Sequence, residues 1–110
     1  MYNIYLIHAS VDGLTQWKVG LSRNPERRIN ELKVANPNIT HIHALYEISD
    51  RKIAYKTEAM LKQFLKPFKI NGEWVEQIAL NDILFFEYCE RYEQLATALI
   101  TIKNNKNFKI

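Results

Sequence analysis

Turn and cap signals cut the first half of the chain into short pieces, and that punctuation constrains the fold more than any other feature. Asp12-Gly13, Asn24-Pro25, Asn36-Pro37-Asn38 and Ser49-Asp50 leave intervals that hold one strand or one short helix each. Residues 2–8 alternate and are rich in Ile and Tyr, as a strand requires. Residues 15–20 form a second strand, so the pair makes a hairpin, its connection read as longer than the tight two-residue kind. Asn24 offers a side-chain cap and Pro25 a first helical position, predicting a helix to Val34 or Ala35 that Asn36-Pro37-Asn38 stops. Residues 40–47 alternate again, His41, His43 and Leu45 against Ile42, Ala44 and Tyr46. Ser49-Asp50 starts a second helix over about 51–66, ended before Pro67. Asn71-Gly72 is a further turn. A long helix is expected from Asn81 or Asp82 to about Lys103, with Asn104–Ile110 fraying.

The expected fold is α+β: a small three-stranded antiparallel sheet flanked by helices, in the order β-β-α-β-α-α. With 110 residues, the chain suits one compact domain. Residues 1–76 hold the candidate chemistry, and 77–110 add a C-terminal helix packing on the same domain plus a short basic tail. Charges interrupt every apolar run, so no membrane span is expected, and the N-terminus reads as a strand and not as a signal peptide. A single cysteine, Cys89, excludes an intramolecular disulfide and a cysteine-based zinc site. The expectation is a cytoplasmic protein.

A net charge of +3 permits a nucleic-acid partner without requiring one. Lys18, Arg23, Arg27, Arg28 and Lys33 crowd one stretch, and Lys56, Lys62, Lys66 and Lys69 another. A solvated charged face is the ordinary explanation of such runs. On the first helix Pro25, Ile29, Leu32, Ala35 and Asn36 share a face, and Arg28 falls within that arc while Arg27 points away. A guanidinium there needs a partner, a ligand or a path to solvent, because an unpaired buried charge is costly. On the second helix Ile53, Thr57, Met60, Leu61 and Phe64 form the apolar stripe, with Glu58 at its edge.

Taken in order, these residues resemble the GIY-YIG nuclease superfamily. Asn3-Ile4-Tyr5 stands where that family has Gly-Ile-Tyr, and Lys18-Val19-Gly20 where it has Tyr-Ile-Gly. Arg28 follows at the spacing of the family's arginine, Glu58 lies on a later helix, and Gly72-Glu73-Trp74 closes a set typical of small stand-alone phage and bacterial members. The resemblance covers about residues 2–76. It implies a GIY-YIG fold and a metal-dependent DNA endonuclease that hydrolyses phosphodiester bonds, with RNA left open as a substrate. Glu58 would hold Mg²⁺ or Mn²⁺, Arg28 would clamp the scissile phosphate, and Tyr5 would act as general base on the attacking water. Lys18, on the paired strand, is expected beside Tyr5, where an ammonium would lower the phenol's pKa.

Supporting candidates are Gly20, His41, His43, Lys62 and Glu73, with His8 a further histidine. Lys62 stands where many relatives carry a histidine, and His41 and His43 are candidates to take over its role. Glu73 falls near a supporting asparagine of some relatives and equally suits fixing the loop before Trp74. Arg23, Arg27 and Lys33 are the expected phosphate contacts. On the last helix Tyr88, Tyr92, Leu95, Leu99 and Ile102 recur at 4-3-4-3 spacing, a seam for packing on the sheet or for pairing with a second copy. Homodimerisation through this helix, or a targeting partner, would supply a second site or specificity. Two alternatives stand beside the nuclease: a nuclease-derived DNA-binding or regulatory module without turnover, and a protein-interaction module acting through the last helix.

Overall fold

The first hairpin is tighter than the expected loop. In the computed structural model, which describes residues 1–104 with the side chain of Ile78 excepted, β1 (Tyr2–Val11) and β2 (Leu14–Ser22) pair down to Val11 opposite Leu14. Only Asp12-Gly13 connects them, with φ of 53° and 80°. Two successive positive φ angles match the twist of the flanking strands, and Asp-Gly is the pair that adopts them at least cost.

Beyond it come α1 (Pro25–Ala35), β3 (Ile39–Ile48), α2 (Arg51–Leu65), β4 (Lys69–Asn71), β5 (Trp74–Glu76) and α3 (Asp82–Asn104). Each helix starts at a side-chain cap. The Asn24 side chain accepts from the Arg27 N–H at 3.2 Å, Asp50 from Ile53 at 2.9 Å and Asn81 from Leu84 at 2.9 Å. Residues of the expected frayed tail beyond Asn104 lie outside the described residues.

The sheet corrects the three-stranded expectation. It has five strands in the order β3-β1-β2-β5-β4, all antiparallel, with three helices, and the whole is α+β. The two unforeseen strands are three residues each, too short to show an alternation. Pairing makes them strands: Gly72 turns the chain with φ 57°, and β5 then lies along β2 with Lys18 opposite Trp74 and Trp17 opposite Val75.

Alternation sorts β1 and β2 onto two cores. Ile4, Leu6, Trp17 and Val19 join Ala54, Leu61 and Leu65 of α2 and Phe85 and Cys89 of α3 in the larger one. Tyr5, Ile7 and Ala9 face the other way, against Ile29 and Leu32 of α1 and against Trp74. The buried face of α2 is Ala54, Thr57, Leu61 and Leu65, turned from the expected stripe. The reason is that α2 has two neighbours: its inner face meets the sheet, while Phe64 packs on Tyr88 and Tyr92 of α3, ring centroids 4.7 and 6.2 Å away. Phe85, Cys89 and Ala96 are the buried residues of α3, and Tyr88 and Tyr92, the first half of the expected seam, pack partly buried against the larger core. Leu95, Leu99 and Ile102 remain 45%, 42% and 58% exposed. Burial pushes the Cys89 thiol up to about 12, with Glu93 adding to it, so the thiol is inert at neutral pH. No described helix is long and apolar enough to cross a membrane.

Candidate active site

Tyr5 sits on β1 directly opposite Gly20 on β2. Its ring lies against the glycine so closely that a Cβ there would overlap the ring and the hydroxyl. Gly20 is therefore the residue that lets a tyrosine lie across the sheet, and the ring ends 3% exposed. The first turns of α1, fixed by the Asn24 cap and Pro25, bring Arg28 over this point. Arg28 Nη1 donates to Glu31 at 3.2 Å, and the same guanidinium stands near enough to the Tyr5 hydroxyl to act on its ionisation. Its side chain is 46% exposed, so it stays at the rim with a face for a ligand. The partner that its inward arc demanded is thus Tyr5 together with Glu31.

Burial raises the Tyr5 phenol above its ordinary pKa. Arg28 and the charge of Lys62 pull it back, while Glu58 adds to the rise. Burial wins, so the phenol is neutral at pH 7. The charges acting on it come from Arg28, Lys62 and Glu58 and not from Lys18. Register explains the difference: Lys18 lies opposite Ile7, two residues along β1 from Tyr5.

Lys18 instead donates to Glu73 Oε2 at 2.6 Å, and Lys62 donates to Glu73 Oε1 at 3.1 Å. Lys62 Nζ is also 3.6 Å from Glu58 Oε2, one helical turn back. A chain of alternating charge, Lys18–Glu73–Lys62–Glu58, thereby ties β2, the β4–β5 turn and α2 together beside Tyr5. The hydrogen bond from Lys18, then that from Lys62, holds the Glu73 carboxyl down at about 2 against the opposing effect of burial. Burial works against the Lys62 charge, yet Glu58 and Glu73 keep its pKa above the usual lysine range. The motif row names Glu73 as a supporting candidate but does not pair it with Lys18, because the two lie 55 residues apart and meet only through the β4–β5 turn.

Glu58 is 17% exposed in its side chain and has Lys62 as its described partner. Among the described residues no three His, Cys, Asp or Glu side chains group to hold a metal ion. A lone carboxylate does not fit a zinc cage. It does fit a hard cation such as Mg²⁺ or Mn²⁺, which keeps most of its waters and takes one or two carboxylates plus substrate phosphate.

The expected phosphate contacts spread along α1. Arg23, Arg27 and Arg28 share a concave surface of about 250 Å³ with Ser22, Asn24 and Glu31. Arg27 Nε is 3.4 Å from Glu31 Oε1, and Lys33 is exposed in the last turn. The histidines form a separate group. His8 lies opposite His41, and the Thr40 hydroxyl lies 2.5 Å from His8 Nδ1 and 2.8 Å from His41 Nδ1. His41 Nε2 and His43 Nδ1 are 3.3 Å apart, and His43 packs on Trp17. Burial, then the charges of His41 and His43, lowers the His8 pKa. None of these described contacts joins the group to Tyr5, Arg28 or Glu58.

Comparison with known proteins gives one family: the model of the T5orf172 domain matches residues 3–87. No curated protein and no solved structure matches the chain. The T5orf172 domain is a distinct family, and this match corrects the assignment to the GIY-YIG superfamily drawn from the motif row.

Proposed function

The chain belongs to the T5orf172 domain family, a family of nuclease-associated, DNA-binding type, and from that premise we propose that it is a divalent-metal-dependent endonuclease hydrolysing phosphodiester bonds of DNA. The observation that carries the proposal is the meeting of Tyr5, Arg28, Glu58 and Lys62 from β1, α1 and α2. A neutral phenol, a guanidinium with an exposed face and a carboxylate, held rigidly together, form a site for a phosphodiester and a water.

In this reading Arg28 binds two oxygens of the scissile phosphate with its planar fork. Glu58 holds Mg²⁺ or Mn²⁺, which when bound supplies positive charge to the phosphate and makes a water more acidic. Tyr5 orients the attacking water and, once its own proton is lost, removes the water's proton. Burial raises that phenol, so cleavage driven by Tyr5 as base rises with pH toward the alkaline range. Lys62 offers an ammonium beside the phosphate, and Glu73, shared with Lys18, fixes where that ammonium stands.

One observation favours a second reading, a DNA-binding module without turnover: Lys62 already neutralises the Glu58 carboxylate that a metal would need. Nicking of supercoiled plasmid by wild type and Glu58→Ala, with Mg²⁺, with Mn²⁺ and with chelator, decides between them. Nicking that needs the metal and disappears in the variant supports hydrolysis. Plasmid retarded on a gel at low salt but never nicked supports binding alone.

A further inference from the structure

A row of two aromatic rings flanked by two arginines leads away from Arg28 across the surface. The Arg23 guanidinium lies 5.5 Å from the centroid of the Tyr2 ring. Tyr2 meets Tyr55 edge to face at 6.3 Å and 63°. The Arg51 guanidinium then lies 5.3 Å over Tyr55. The row starts in the concave surface that Arg23 shares with Arg27 and Arg28, and it ends in a groove of about 690 Å³ between α2 and α3, which Tyr55 lines.

Lys52, Lys56 and Lys103 also line that groove, and no carboxylate does. Among the described residues none of these lysines forms an ion pair; the described pairs involve Lys18, Arg27, Arg28 and Lys62. Ala59, Leu99 and Ile100 give the groove an apolar wall, with Asn104 at its end. Such a surface asks for an occupant with regularly repeated negative charge and flat apolar faces. A nucleic-acid strand has both, phosphates for the cations and base faces for the rings. Lys52 and Lys56, one helical turn apart, stand about 6 Å apart along the axis, which suits successive charges of one extended chain. An acidic protein segment would satisfy the lysines but leave the Arg23–Tyr2 end, continuous with Arg28, without a role.

We propose that this track binds a single nucleic-acid strand running on from the phosphodiester held at Arg28. Phosphates lie on Arg23, Arg51 and the three lysines, and bases lie against Tyr2, Tyr55 and the groove wall. The inference rests on the reading of the site as directed at nucleic acid, and it adds the path of the flanking strand.

The test is anisotropy of labelled oligothymidylate with the full chain, in chelator so that nothing is cut, across a range of salt. Tyr55→Ala is expected to weaken binding about 10-fold, as loss of one stacking platform does. Lys52→Ala/Lys56→Ala is expected to lower the slope of log affinity against log salt by about 1.4, two phosphates' worth. These side chains are exposed, so the fold is retained. Affinities within about twofold of wild type in both variants overturn the proposal. So does a chain that ignores the oligonucleotide and sediments as a dimer dissociated by Leu99→Glu, or one that binds polyglutamate in its place. The two readings fail separately. Oligothymidylate bound through these residues, with plasmid never nicked, leaves the track standing and removes hydrolysis. Metal-dependent nicking with unchanged affinity in both variants removes the track alone.

Discussion

The two faces of the sheet are built to different standards. One face carries Ile4, Leu6, Trp17 and Val19 under two helices, with Leu61, Leu80, Phe85 and Cys89 fully buried. The other carries Tyr5, Ile7 and Ala9 under α1, a helix with one buried residue, Ile29. Burial stabilises by about 1.5–3 kcal/mol per large apolar side chain, so the first face holds the fold together and the second contributes less. The lesson is one of placement. The thinly covered face keeps Arg28 at a rim that solvent and a polyanion can reach, while the sheet beneath it remains rigid because its other side is fully packed.

The largest effect that would test this contrast is Phe85→Ala on the thick face. It is expected to cost about 3–5 kcal/mol and to bring the chain close to unfolding, read as a lowered denaturant midpoint. Ile29→Ala on the thin face is expected to cost about 2 kcal/mol, at the low end for its type, because α1 can settle onto what remains. It should also slow any cleavage more than the lost stability explains, since α1 positions Arg28. Equal costs for the two substitutions would erase the distinction.

A smaller effect sharpens the link between the faces. Glu73 ties β2 to α2, with its carboxyl held at about 2 instead of 4.5. A depressed carboxylate pKa gives stability that is fully present above pH 4.5 and lost as pH falls through about 2. Such a shift corresponds at face value to about 3 kcal/mol. With the side chain 47% exposed, solvent screening cuts it to about 1 kcal/mol. Glu73→Gln should therefore be less stable than wild type by about that amount at pH 7, and the two should converge as the pH approaches 2 in urea melts.

Much of this was legible in the sequence, and the limits have physical causes. The six long elements announce themselves through alternation and through the caps Asn24, Asp50 and Asn81. The strands β4 and β5 do not, because three residues carry no period and their stability comes from pairing with β2. Tyr5, Arg28 and Glu58 could be picked out as a row, but their surroundings could not. Strand register places Gly20 and not Lys18 opposite Tyr5, and Glu73 reaches Lys18 only through the late hairpin. The motif row was also matched to the wrong family: residues 3–87 match the T5orf172 domain. The Arg51–Tyr55 pair, at i and i+4 on one helix, could have been found from spacing alone.

The most direct test of the account is single-turnover cleavage of labelled DNA by wild type and Tyr5→Phe, with Mg²⁺, at neutral and at alkaline pH. The substitution keeps the ring that packs on Gly20 and removes only the hydroxyl. The account predicts a wild-type rate that rises with pH and a variant that is folded, insensitive to pH and slower by about a hundredfold or more. A Tyr5→Phe chain that cuts as the wild type does, with the same pH profile, would contradict it.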